Sequence, residues 1–185
     1  MNLPNTLTLV RIFLVPLLVV VLLTQFAGHE IFGVPKEFVG AAIFALASLT
    51  DWADGYLARR RKQITPLGQV IDPLADKLLT SAALISLVQM DLAQSWMVAV
   101  IIGREFAVTT LRSLAYARGV AIPASPLGKI KMVAQVVAIL ALILAHGMPD
   151  FLVIGQAALW VVVITALVSA ADYFRRFNLF LSPRV

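Results

Sequence analysis

Apolar residues run through this chain in long blocks broken by short polar connections, with blocks at 7–26, 38–61, 66–90, 93–117, 127–147 and 151–174. Each reaches the roughly 20 residues that a helix needs to cross a bilayer core. The pattern predicts an all-α integral membrane protein with six transmembrane helices in a single domain over 1–185. No linker, low-complexity stretch or internal repeat interrupts it. Helix starts are marked by Thr65-Pro66 and Ser125-Pro126, a capping residue followed by Pro at the first helical position. Asp150 and, after Pro4, either Asn5 or Thr6 are read as caps in the same way. Pro16 falls inside the first block, where a kink is tolerable in a membrane. That block is too long for the apolar part of a signal peptide, and Thr24-Gln25-Phe26 makes a poor cleavage site, so it is read as a span.

Composition agrees with this pattern. Of 185 residues 61% are hydrophobic and only 14% charged, with a mean hydropathy of +0.93. A soluble domain carries about a quarter charged residues. The absence of cysteine excludes a disulfide framework, a thiolate metal site and a thiol nucleophile. Both histidines, His29 and His146, lie in connections far in sequence from the acidic motif described next, which argues against an imidazole metal site. The net charge of +5 is unevenly placed. Arg59, Arg60, Arg61 and Lys62 follow the second block, Arg118, Lys129 and Lys131 flank the fourth connection, and Arg175, Arg176 and Arg184 come last. The alternate connections carry almost nothing basic beyond Lys36. The positive-inside rule then predicts that both termini are cytoplasmic. Membrane lipid, not nucleic acid, is the expected partner of Arg60, Arg61, Arg176 and Arg184.

Asp51, Asp54, Asp72 and Asp76 lie within or beside these apolar blocks. A charge inside a membrane costs several kcal/mol unless it is paired or solvated, so it marks a functional site by default. Asp51 follows 13 residues, Phe38 to Thr50, that are nearly all apolar. At 1.5 Å per residue this puts it roughly 20 Å from the outer end of its helix. Asp76 precedes a similar run, Lys77 to Met90, on a helix running the other way. Asp51 is thus level with Asp76, and Asp54 with Asp72. Helix spacing puts Asp51, Asp54 and Ala58 on one stripe with Gly55 beside it, and Gly68, Asp72 and Asp76 on another. The small residues allow a helix or ligand to approach closely. The alternative is that the aspartates bond to Ser48, Thr50, Lys77 or Arg59 and only join helices, but four matched in depth and face favour a site. Four carboxylates in one place repel unless cations join them. Oxygen-only donors suit Mg2+, Ca2+ or Mn2+, and two such ions would balance the charge and suit phosphoryl transfer.

The run Asp51-x-x-Asp54-Gly55-x-x-Ala58-Arg59, eight residues, Gly68-x-x-x-Asp72-x-x-x-Asp76 resembles the signature of the CDP-alcohol phosphotransferases at all eight fixed positions. The resemblance implies a six-helix membrane enzyme, usually a homodimer, that displaces CMP from a CDP-linked donor with an alcohol, using two divalent metals (Mg2+ or Mn2+). It implies that Asp51, Asp54 and Asp72 are metal ligands, and that Asp76 completes the metal site and is the catalytic base. Gly55, Ala58 and Arg59, with Gly68, would border the CDP group. The active site would lie between helices 2 and 3, in the cytoplasmic half.

Other motifs resemble one branch of that family. They are Asn2 to Arg11, Gly103-Arg104-Glu105, Leu111-Arg112 and Gly128-Lys129-Ile130-Lys131. The bacterial members concerned join CDP-diacylglycerol to sn-glycerol 3-phosphate. A dianionic acceptor needs cations, and Arg104, Arg112, Lys129 and Lys131 are the candidates for its phosphate. Arg112 could equally pair with Glu105, seven residues away, and the lysines could snorkel to the interface. Asn5, Thr8 and Arg11 are placed near the nucleotide at the cytoplasmic mouth, although helix capping accounts equally well for Asn5 and Thr8.

Other functions compete. A family member using phosphatidylglycerol to make cardiolipin would share the fold but need fewer deep cations; the phospholipase-D type is excluded, since no H-x-K-x-x-x-x-D occurs. Transferases for inositol phosphate or serine match the amino-terminal and Gly-Lys motifs less well. A metal-ion or proton-coupled transporter would carry polar residues across the outer half, where 38–50 and 78–90 are nearly all apolar.

Overall fold

The structure, a computed structural model, describes residues 3–24, 30–31, 33–61, 66–117 and 126–181, with side chains at 8–24, 30–31, 33–50, 74–111, 113–114 and 130–171. Among these residues the chain forms six helices: α1 (Leu3–Leu23), α2 (Lys36–Arg61), α3 (Pro66–Gln89), α4 (Ser95–Ala117), α5 (Pro126–Ala145) and α6 (Asp150–Leu181). They coincide with the six apolar blocks to within a few residues at most ends. A two-residue hairpin, β1 (Glu30–Ile31) and β2 (Val34–Pro35), precedes α2.

Two caps differ from expectation. Asn5 and Thr6 lie inside α1, which begins at Leu3. Pro4 does not stop this, because the first turn of a helix leaves its N–H groups without intrahelical acceptors anyway. Asp150 is in the first turn of α6 rather than before it, where its charge faces the positive end of the helix. Pro66 and Pro126 open their helices as predicted. The end of α3 uses a device the sequence hides. The Asp91 N–H donates to Val88 O and the Leu92 N–H to Leu87 O, with Asp91 at φ 58°. This is a Schellman cap whose left-handed residue is Asp, one of the few side chains besides Gly that tolerates it.

The core runs through all six helices at helical spacing. Leu18 and Leu22 of α1, Phe44 of α2, Leu79, Ala83 and Leu87 of α3, Met97 and Ile101 of α4, Ile139 and Leu142 of α5, and Leu159 and Val162 of α6 are buried together. The outward faces are apolar too, including Phe13, Leu46, Ile85, Val133, Val153 and Ile164. A helix that is apolar all round belongs in a membrane or deep in a core. Only α6, over Asp150–Ala171, is long and apolar enough by composition to qualify as a span among the described residues, with shorter apolar stretches at Thr8–Leu23 and Ile130–Ala145.

Close packing fixes α5 against α6. A Cβ at Gly155 would stand 2.7 Å from Leu142 Cγ and Cδ2 and 3.1 Å from the Leu142 backbone nitrogen. Gly40 lets α1 approach α2 similarly, but there the nearest atom is only Leu22 Cδ2, at 2.7 Å. One end of the bundle is tied by Gln156 Nε2, which donates to Leu92 O at 2.7 Å, and by Trp96 packed edge-on to Trp160 at 5.7 Å. His146 and Glu37 meet at 3.8 Å at the start of α2.

Candidate active site

The eight signature residues all lie in helices: Asp51, Asp54, Gly55, Ala58 and Arg59 in α2, and Gly68, Asp72 and Asp76 in α3. α2 and α3 pack together, and α3 begins only five residues after α2 ends. Asp51 lies about 23 Å along α2 from Lys36, and Asp76 about 20 Å before Gln89, at 1.5 Å per residue. Helical backbone at both segments puts Asp51 with Asp54, and Asp72 with Asp76, on common faces. Of these eight, only Asp76 is among the residues whose side chains are described, and it is half-buried. Its carbonyl oxygen accepts from Thr80 Oγ1 at 3.0 Å, one turn further along α3. The other seven, with Asn5, Arg112 and Lys129, lie outside the described side chains. Among the described residues no cluster of three or more His, Cys, Asp or Glu is found.

Beside Asp76 the described helices converge on Glu105. Lys131 of α5 is ion-paired with it, Arg104 Nη1 lies 3.8 Å from it and Lys77 Nζ 4.0 Å away. Lys131 is 4% exposed, Arg104 10% and Lys77 12%, while Glu105 is the most open at 21%. Lys131 is also within electrostatic range of Asp76. Arg104 is clamped from a further side, its Nε and Nη2 donating to Ser169 Oγ of α6 at 2.9 and 2.6 Å. Ser169 Oγ in turn donates to Ala166 O at 3.1 Å, so the clamp is anchored to the α6 backbone. Buried charges persist only when paired and hydrogen-bonded, and this group meets that condition through four helices.

The snorkelling alternative for Lys131 does not hold: the side chain points into the bundle and is buried against Glu105. The described partners of Glu105 are Lys77, Arg104 and Lys131; Arg112, the alternative partner, lies outside the described side chains. Ser169 was missed entirely, because a serine in an apolar helix gives no local signal and its partner is 65 residues away. On α1, Thr8 and Arg11 are both buried, one turn apart on the face turned inward. Thr8 is therefore an interior residue, and not a cap.

The sequence matches the family model for CDP-alcohol phosphatidyltransferases over residues 1–168. It is 48% identical over 184 residues to the CDP-diacylglycerol–glycerol-3-phosphate 3-phosphatidyltransferase of Bacillus subtilis, covering 95% of this chain and 94% of that one. The protein of the same name from Rickettsia felis is 34% identical, with 94% of each chain covered. A probable phosphatidylglycerophosphate synthase of Mycobacterium tuberculosis is 39% identical over 95% of this chain and 81% of its own. An eight-position aspartate signature on two packed helices, a family match over nearly the whole chain and full-length relatives agree: the chain belongs to the CDP-alcohol phosphatidyltransferase family.

Proposed function

We propose that this protein transfers a phosphatidyl group from CDP-diacylglycerol to sn-glycerol 3-phosphate, giving phosphatidylglycerol phosphate and CMP, as an enzyme of phospholipid biosynthesis. The observation that carries the reading is the cation-rich group of Arg104, Lys77 and Lys131 buried beside Asp76. A phosphomonoester dianion needs concentrated positive charge, while a phosphodiester lipid acceptor needs less. The names of the relatives from Bacillus subtilis and Rickettsia felis support the same donor and acceptor.

The carboxylates on the facing stripes of α2 and α3 suit a hard divalent cation, Mg2+ or Mn2+, because their donors are all oxygen. Asp51, Asp54, Asp72 and Asp76 would hold two such ions, which when bound stabilise charge on the attacking and leaving oxygens. Arg59, with Gly55, Ala58 and Gly68, borders the diphosphate of CDP-diacylglycerol, and Asn5, Thr8 and Arg11 lie toward the nucleotide. Arg104 and Lys131, with Arg112 and Lys129, hold the acceptor's phosphate. Asp76 takes the proton of the acceptor's 1-hydroxyl. The freed oxygen attacks the phosphorus bearing diacylglycerol, the bond from that phosphorus to the bridging oxygen breaks, and CMP departs with the electron pair.

The six helices are read as six spans in the inner (cytoplasmic) membrane, both termini and the site facing the cytoplasm, in a homodimer. Beyond the aspartates α2 and α3 pack through Phe44, Ala47, Leu79, Ala83 and Leu87, which favours a pocket closed on the far side over a transport path.

The test is CMP release by purified protein in detergent with CDP-diacylglycerol and Mg2+, adding acceptors singly. Release dependent on sn-glycerol 3-phosphate and lost in Asp72→Ala supports the reading. Release only with phosphatidylglycerol would move the activity to cardiolipin synthesis. A folded, metal-bound protein inactive with every acceptor would point to transport and a flux assay.

A further inference from the structure

The structure assigns to Glu105 the role of positioning residue for the acceptor site: it holds Lys131 and Arg104 in the arrangement that receives the acceptor's phosphate, and Ser169 fixes Arg104 from the other side. This rests on the acceptor reading above. Among the described residues, Glu105 is the carboxylate shared by side chains of three helices, Lys77 of α3, Arg104 beside it on α4 and Lys131 of α5. Lysine and arginine side chains are long and rotamer-rich, so a phosphate site made of them alone would lose much affinity in ordering them. Here the ordering is complete before any acceptor arrives. Lys131 is already buried on Glu105, and two Arg104 nitrogens already donate to Ser169.

An acidic residue in a phosphate site has an obvious competing role. If Glu105 served only to lower the positive field, its removal would strengthen attraction for the dianion. If it positions the cations, removal weakens acceptor binding although the site becomes more positive. The two roles predict opposite signs. Glu105 lies in the acceptor group and not on the α2 stripe, so the donor should be insensitive to it.

The experiment measures CMP release by the full-length protein in detergent, varying sn-glycerol 3-phosphate at saturating CDP-diacylglycerol and then the reverse. Wild-type turnover with sn-glycerol 3-phosphate comes first; its absence overturns the acceptor reading and the assignment with it. Glu105→Gln is expected to raise KM for sn-glycerol 3-phosphate by about tenfold or more, the scale of one charge-assisted hydrogen bond. KM for CDP-diacylglycerol should stay within about twofold, the range of an uninvolved substitution. Glu105→Asp, which keeps the charge, should recover part of the loss. An unchanged or lowered acceptor KM, or a parallel rise in both KM values, would overturn the positioning role alone. Should Glu105→Gln not fold, judged by its thermal midpoint in the same detergent, Ser169→Ala decides. A rise of about threefold or more in acceptor KM alone supports the assignment, and no change overturns it.

Discussion

At the scale of single residues, the chemistry separates into a proton acceptor and the charges around it. Asp76→Asn keeps the size and removes the proposed base, so kcat should fall by roughly 10²- to 10⁴-fold while the protein still binds divalent metal, measured by turnover and metal titration on one preparation. Wild-type turnover with metal retained would remove Asp76 from the proton transfer. Lys131→Met tests the burial of the cation in a different quantity. It takes away the closest partner of Glu105 but leaves Lys77 and Arg104, so the loss of stability should be about 1–3 kcal/mol. Adding Glu105→Gln should give back part of it, a coupling that a double-mutant cycle of thermal midpoints would read. Additive losses would mean the pair contributes nothing as a pair. The aspartates were legible in the sequence because charge in an apolar run is conspicuous. Ser169 was not legible, because its importance lies only in the guanidinium that another helix brings to it.

At the scale of elements, helix positions were legible and their ends only partly so. Proline announces α3 and α5 because its missing N–H and fixed φ suit a first turn. Nothing comparable announces the end of α3, where Asp91 adopts a conformation more often given to Gly. Nor did spacing reveal that Lys131 turns inward, since a lysine at the head of an apolar helix suits an interface equally well. The contact of α5 with α6 yields a sharp contrast. Gly155→Ala must displace the Leu142 backbone as well as its side chain, and should cost about 1–3 kcal/mol. Gly40→Ala meets only the tip of Leu22 and should cost visibly less. Equal midpoints for the two variants in detergent would show that α5 and α6 can separate freely.

At the scale of the whole molecule, the distribution of charge predicts how the bundle sits. The chain has no cysteine, so any single introduced cysteine reports its own side of the membrane without a background. Met148→Cys, in the connection before α6, should react with an impermeant maleimide added to intact cells, whereas Lys62→Cys should react only after permeabilisation. The reverse pattern would invert the orientation and place the aspartates away from cytoplasmic substrates. Six helices were legible as a whole because each block is long and predominantly apolar. Which helices share a charged group was not, because pairings such as α3 with α5 leave no trace in local order.

The reach of the Arg104–Ser169 clamp also bears on how the protein is made. Ribosomes deliver about 5–20 residues per second, so the 65 residues separating the two partners take roughly 3–13 s to appear. By the later part of that interval α3, α4 and α5 have been synthesised with the arginine, two lysines and glutamate that they share, while the hydroxyl that completes the group is still unmade. Until it appears, a buried polar group lacks a hydrogen-bond partner in an apolar medium, which is costly. A chain stopped before residue 169 would therefore carry Arg104 without the hydroxyl to which two of its nitrogens donate.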